Sequence, residues 1–205
     1  MNIYDVSMTI REGMIVYKDK QEKQPKITTN TNGHVTESRI DMDLHTGTHI
    51  DSPLHMINDG ETMETISIED LVGPVKVFDV SKAGDSIDKA DIEGLDIKEG
   101  DFVLFKTKNS FHESDDFDFD FTFVAADAAE YLADKGIKGV GVDGLGIERS
   151  QPDHPTHRSL FQHRIIIIEG LRLKEVPQGG YFMVAAPLKI DGTDASPARI
   201  LLMDK

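Results

Sequence analysis

The sequence predicts a mixed α/β fold with more strand than helix. Three observations carry that reading: eight short runs rich in β-branched and aromatic residues, one clear amphipathic helix, and a single strand-helix-strand unit within an otherwise strand-rich chain. In chain order, the strand-like runs cover residues 3–10, 37–44, 75–80, 102–107, 139–143, 164–169, 181–186 and 199–203. The helix is expected over residues 123–135, with Thr122 as N-cap, Val124, Ala128, Tyr131 and Leu132 along one face, and Gly136 as stop signal. Shorter helices are expected from Ser67, where Ser67 and Asp70 resemble a capping box, and near Asp88. The acidic stretch HESDDFDFDF, residues 112–121, alternates Asp with Phe. It reads as a solvated loop with partly buried rings, an edge strand being the alternative.

No repeat or Pro/Ser-rich linker divides the 205 residues, so one domain over residues 1–205 is expected. The 39% hydrophobic fraction is a little low for a self-sufficient monomer, which suits a homodimer or homotetramer. A formal charge of -15 with no compensating basic stripe excludes nucleic acid and anionic membranes as partners. The chain contains no cysteine, so disulfides, thiolate metal sites and a cysteine nucleophile are excluded. Any metal must sit on histidine and carboxylate. The amino terminus lacks a basic start followed by an apolar core, no apolar run approaches a membrane span, and a cytoplasmic location is expected.

The segment DMDLHTGTHIDSPLH, residues 41–55, carries the strongest chemical signal. Ile40, Met42 and Leu44 alternate with Asp41, Asp43 and His45, so a half-buried strand is expected to deliver His45 at its end on the polar side. A helix cannot hold His45, His49, Asp51 and His55 on one face, and Pro53 breaks its ladder; a turning loop can gather all four. Imidazole nitrogen with carboxylate oxygen suits zinc, manganese or iron, and an Asp can bridge two ions. Asp41 and Asp43 are expected to be supporting or solvated residues.

A second region is DHPTHRSLFQHRIIIIEGL, residues 153–171. Glu169 closes a run of four isoleucines, so it ends a strand buried on both faces. A carboxylate there needs a cation or its own proton, because an unpartnered buried charge costs several kcal/mol. Arg164, Arg172 and a metal are all candidate partners. His154, His157 and His163 are not separated by these arguments.

The pattern HTGTHIDSPLH resembles the signature HTGTHxDxPxH of the cyclase family of metal-dependent hydrolases, which includes bacterial kynurenine formamidases and isatin hydrolases. Further landmarks are GMIVY, LFKT, YLADKGIKGVGVD, HRSLFQHRIIIIEGL and APLKIDGTDASPARILL. The resemblance implies a three-layer β/β/α, swivelling-domain-like fold, usually dimeric. It implies two divalent ions, zinc or alternatively manganese: one on His45, His49, Asp51 and Glu169, the other on Asp51, His157 and Glu169. In the family a histidine twelve residues before the glutamate completes the site, so the resemblance implies His157 and leaves out His154 and His163. His55, the last histidine of the signature, takes the place of the general acid/base.

The family's Trp-Pro-Gly-Asp turn is replaced by Tyr17, Lys18, Asp19 and Lys20, which makes Tyr17 a substrate-pocket residue by position. The stretch from Asp143 to Glu148 also departs from the family's Asp-Thr-Pro-Ser-Val-Asp. The implied reaction is cleavage of a carbon-nitrogen amide bond of a small molecule, such as N-formylkynurenine to kynurenine and formate, by metal-activated water with His55 moving the proton. Alternatives are a different amide or lactam such as an isatin-like ring, a metal-dependent oxygenase or dehydratase, and a metal-binding module without catalysis. No GxSxG serine elbow is present.

Overall fold

The computed structural model describes residues 1–204 apart from Glu113 and Asp115, so part of the acidic stretch lies outside the described residues. The strands are β1 (Ile3–Asp5), β2 (Lys26–Asn32), β3 (Val35–Asp41), β4 (His49–Asp51), β5 (Val72–Asp79), β6 (Ser86–Ile87), β7 (Phe102–Lys106), β8 (Phe123–Val124), β9 (Gly139–Val142), β10 (Ile166–Glu169), β11 (Gly179–Pro187) and β12 (Ala195–Met203). The helices are α1 (Ile68–Leu71), α2 (Lys89–Ile92), α3 (Ala126–Asp134) and α4 (Pro155–Gln162).

Eight strands form one sheet in the order β1-β12-β11-β5-β7-β9-β10-β4, and β4 also pairs with β12. That last pairing closes the sheet into a barrel, with β1 attached to the outer part of β12. Strands β5, β7, β9 and β10 run parallel, whereas β4 is antiparallel to both its neighbours. Closure removes free edges from the barrel, a hazard that an open sheet must otherwise manage.

Period-two alternation places Val75, Val77, Leu104, Ile166, Ile168 and Ile50 inside the barrel with Ile200 and Leu202. Their neighbours Val103, Phe105, Val140, Val142 and Ile167 face outward onto Ala128 and Leu132 of α3 and Leu160 and Phe161 of α4. The two barrel walls and the helical layer thus give the β/β/α order that the resemblance implies. Inside the barrel, Gly141 leaves room for its neighbours: a Cβ there would stand 2.5 Å from Leu104 and 2.8 Å from Leu171.

Several elements differ from expectation. The strand expected over residues 37–44 ends at Asp41 and belongs to a β2–β3 hairpin exposed along its whole length, so it does not deliver His45 at a half-buried strand end. The hairpin packs no face against the core, so its alternation of residue types does not report burial. The helix of residues 123–135 begins only at Ala126, because Phe123 and Val124 pair with β6. Thr122 donates to the Gly84 carbonyl at 2.9 Å and caps nothing, while the Gln151 side chain accepts from Ala126 N at 3.1 Å. Ser67 bonds Glu69 and does not form the expected box with Asp70. In the acidic stretch Phe117 and Phe121 are buried and Phe119 is exposed, with no strand among the described residues there.

Candidate metal centre

Strand β4 explains why the signature alternates histidine and aspartate around an isoleucine. Ile50 points into the barrel, so His49 and Asp51 both point outward, and all three residues are buried. In the antiparallel pair with β10, His49 lies opposite Glu169. Two adjacent strands therefore place a histidine and two carboxylates on one buried face. Gly47 (φ +76) and Gly170 (φ +72) both take the left-handed region where these segments meet. A Cβ on Gly170 would stand 2.6 Å from the Gly47 carbonyl oxygen. Thr48 locks the contact by donating to the Gly170 carbonyl at 2.6 Å.

His45 sits in the turn before β4, and His55 ends a short 3-10 helix after it, so the four signature residues come from a turn, a strand and a helical turn. His157 is on the buried face of α4, one turn before Leu160 and Phe161. Sequence reasoning missed this helix, although Pro155 at its first turn and the spacing of His157, Leu160 and Phe161 are signals for it.

The polar atoms converge closely. His49 Nε2 is 3.3 Å from both Asp51 Oδ1 and Glu169 Oε2, His45 Nδ1 is 3.0 Å from Asp51 Oδ1, and His157 Nε2 is 3.4 Å from Glu169 Oε1. Four groupings among the described residues have ligand geometry: His45, His49 and Asp51; Asp51, His55 and His157; His45, His55 and Asp194; and Glu148, His154 and His157. Asp51 belongs to the first two. His49 Nε2 and both Asp51 oxygens are buried without a hydrogen-bond partner. Native interiors rarely leave such atoms unsatisfied, and a divalent cation satisfies all three at once.

The opposite ring nitrogens are tied down. His49 Nδ1 donates to the Gly47 carbonyl at 2.9 Å, His45 Nε2 meets Asp194 Oδ2 at 2.9 Å, and His157 Nδ1 meets Glu148 Oε2 at 2.8 Å. Each acceptor requires a proton on the nitrogen it touches, leaving the other nitrogen of each ring free to ligate. His55 has no such brace, the closest carboxylate contact being Asp194 at 3.7 Å.

The titration behaviour follows the same division. Burial alone would lower His49 and His157; for His49 Asp51 and Glu169, and for His157 the Glu148 and Glu169 carboxylates, outweigh it and hold each at about 10. Burial and Asp51 push Glu169 up, but His157 and His49 bring it to about 2. Burial likewise opposes ionisation of Asp51, and His49 and His45 pull it well below the usual carboxylate range. For His55, burial prevails over Asp51 and lowers it from the ordinary imidazole value.

Asp194 and Glu148 were missed as site residues. Asp194 stands in the landmark IDGTDASPAR and Glu148 ends the Asp143–Glu148 departure, so both were within quoted segments, but only the fold brings them to a histidine. Asp43 accepts from His45 N at 2.9 Å and from Lys23 Nζ at 3.0 Å and so supports the turn. Arg164 pairs with Glu61 at 3.1 Å and is not the partner of Glu169. His163 Nδ1 bonds the Ser159 carbonyl at 2.8 Å, and His154 reaches the rim 3.8 Å from Glu148. Tyr17, Lys18 and Lys20 line a cavity of about 240 Å³ together with His45, His55, His157 and Glu169. Burial and the Glu169 and Glu148 charges raise the Tyr17 hydroxyl above its ordinary pKa, so it is a neutral hydrogen-bonding group.

A buried histidine-carboxylate cluster opening on a small cavity defines the class of a metal-dependent enzyme site. The family description "Putative cyclase" matches residues 4–149. The chain belongs to the cyclase family. It is 33% identical over 208 residues to a kynurenine formamidase of Salinibacter ruber, spanning 100% of this chain and 98% of that protein. The solved structure of a predicted metal-dependent hydrolase from Bacillus stearothermophilus is 68% identical with a TM-score of 0.93, covering 100% of this chain and 98% of that one. Isatin hydrolase A from Labrenzia aggregata, bound to benzyl benzoate, is 25% identical with a TM-score of 0.85, covering 100% of this chain and 94% of that one.

Proposed function

We propose that the protein is a metal-dependent hydrolase cleaving a carbon-nitrogen amide bond of a small molecule, with an aryl formamide such as N-formylkynurenine as the leading substrate. The observation that carries this reading is the set of orphaned buried atoms, His49 Nε2 and both Asp51 oxygens, facing histidine nitrogens whose opposite sides are braced. His45, His49, Asp51, His157 and Glu169 would hold two divalent ions, zinc or alternatively manganese. Bound ions supply Lewis acidity, which polarises a carbonyl and lowers the pKa of water from about 15.7 towards about 7.

The chain's own residues supply the rest. His55, held below the ordinary imidazole pKa and without a carboxylate within hydrogen-bond reach, is neutral at physiological pH and can take a proton from water and return it to the leaving nitrogen. Asp194 braces His45, and Glu148 braces His157. Tyr17 lines the pocket and orients the substrate. The curated kynurenine formamidases favour a formamide over a lactam. The likeness to isatin hydrolase supports the lactam as the second reading.

We include in this proposal a homodimer in the cytoplasm. Exposed Ile27, Val35 and Ile40 on the β2–β3 hairpin support a second copy, and no helix among the described residues is long and apolar enough to cross a membrane. The test of function is turnover of formanilide, N-formylkynurenine and isatin by protein stripped of metal and reloaded separately with zinc and manganese. Metal-dependent release of formate is expected; failure of every amide and lactam in both metal forms would contradict the reading.

A further inference from the structure

The turn that replaces the family's Trp-Pro-Gly-Asp has an unusual backbone. Lys18 (φ 56, ψ 29) and Asp19 (φ 51) are consecutive non-glycine residues in the left-handed region. Such strain persists only where the surroundings impose it, and it clusters at functional sites. Here Asp19 accepts from Phe117 N at 3.0 Å, and the Tyr17 ring meets the Phe117 ring edge-on at 5.1 Å. These anchors hold the turn by its acidic and aromatic residues. The two lysines flanking Asp19 are left facing the cavity that contains His55 and Glu169.

The charge pattern makes this placement informative. The chain carries a formal charge of -15, and the floor of the cavity is acidic through Glu148 and Glu169. Its mouth is basic. A third lysine, Lys23, is committed to Asp43 at 3.0 Å, but Lys18 makes no ion pair among the described residues and lies 5.1 Å from the Tyr17 ring centroid. Lys20 has only a 4.0 Å contact with exposed Glu22. An exposed contact of that length contributes little, so both ammonium groups are available to a ligand. Solubility does not call for them on so acidic a chain. A local reversal of sign at the mouth of a cleft attracts the opposite charge.

We infer that the substrate carries a carboxylate, which Lys18 and Lys20 receive at the cavity mouth while its amide reaches the histidine cluster. The amide half of this statement rests on the proposed hydrolase activity; the carboxylate half does not. Lys18 and Lys20 are the pair that would receive the carboxylate, and they set a preference for a carboxylate-bearing formamide or amide, N-formylkynurenine among them, over one of the same size without a carboxylate, such as an isatin-like lactam.

The experiment uses the metal-loaded protein and the pair formanilide and 4-formamidobenzoate, with the double variants K18Q/K20Q and K18R/K20R. Both side chains are exposed, so neither variant removes core packing. The ratio of kcat/KM for the charged over the neutral substrate is expected to fall about tenfold in K18Q/K20Q, to survive in K18R/K20R, and to shrink with added salt in the parent. Equilibrium binding of 4-aminobenzoate, compared with aniline, gives a readout that needs no turnover and is expected to weaken about tenfold in K18Q/K20Q. An unchanged ratio and unchanged affinity would overturn the inference, since a carboxylate seated on the metals does not sense the lysines. Failure of 4-aminobenzoate to bind the parent would overturn it as well. Lysine-dependent binding without turnover of any amide would instead contradict the hydrolase reading and leave the carboxylate assignment standing.

Discussion

Strand β4, which touches the cavity-lining His45 and Glu169, and the Tyr17–Lys20 turn, which lines the cavity itself, are built in opposite ways. His49 and Asp51 sit in a closed sheet between β10 and β12, buried on both sides and registered against Glu169. The turn is exposed from Lys18 to Lys20, strained at two residues and anchored at one side only. Binding a cation at orphaned atoms requires donors that do not move, which a barrel provides; recognising one substrate among many requires a segment that can change without disturbing the barrel. On the proposed assignment, the difference lets metal chemistry and specificity vary independently on this scaffold.

The strongest way to break the comparison is Glu169→Gln, which keeps the shape of the side chain and removes the charge facing His49 and His157. Loss of metal and at least about a thousandfold loss of turnover are expected, several kcal/mol of transition-state stabilisation. The melting temperature should fall too, because bound metal stabilises the fold by mass action. Metal analysis, turnover and thermal melts check this; wild-type metal content and rate would reduce Glu169 to a strand-end charge.

The next effect is proton linkage. In the metal-free protein His49 and His157 are raised to about 10, so each remains protonated at neutral pH and its contribution to stability is present below the unfolded pKa and lost as pH rises through about 10. Metal binding must displace these protons. Apparent affinity should therefore rise about a hundredfold per pH unit between pH 7 and 9, which is the slope for two released protons. Calorimetry in buffers of different ionisation enthalpy counts the protons, and no buffer dependence would contradict the pairing described.

A smaller effect separates ligand from brace. Glu148→Gln leaves a group beside His157 but removes the carboxylate that fixes its tautomer, and a tenfold to hundredfold weaker metal affinity is expected. Competition with a chelator measures it. A loss as complete as that of Glu169→Gln would make Glu148 itself a ligand.

Several of the barrel's strands were legible in the sequence because β7, β9 and β10 are short apolar runs, and burial on both faces leaves little alternative to a strand; the closure of the sheet through β4 and β12 was not legible. The convergence of His45, His49, Asp51 and His55 was legible because histidine and aspartate are dense within residues 45–55. The hairpin was misplaced for the converse reason: with no buried face, the alternation from Ile40 to Leu44 marks nothing. Asp194 and Glu148 were unreadable as braces because an ordinary acidic residue gains its role only from a histidine brought to it by the fold, across 149 residues in the case of Asp194 and His45. The start of α3 was misread because Phe123 and Val124 gain more from pairing with β6 than from extending a helix.

The division between three braced histidines and one unbraced histidine is decided by His55→Ala. His55 lies close enough to Asp51 and His157 to join a ligand set, so metal content and turnover must be measured on the same sample, beside His49→Ala at matched metal supply. A general acid/base contributes about 10²- to 10⁴-fold in rate, whereas losing a ligand empties or distorts the site. Near-normal metal content with turnover lowered by about two decades or more is expected for His55→Ala, and depletion of metal for His49→Ala. A metal-depleted His55→Ala, or one that is metal-replete and fully active, would contradict the role given to His55.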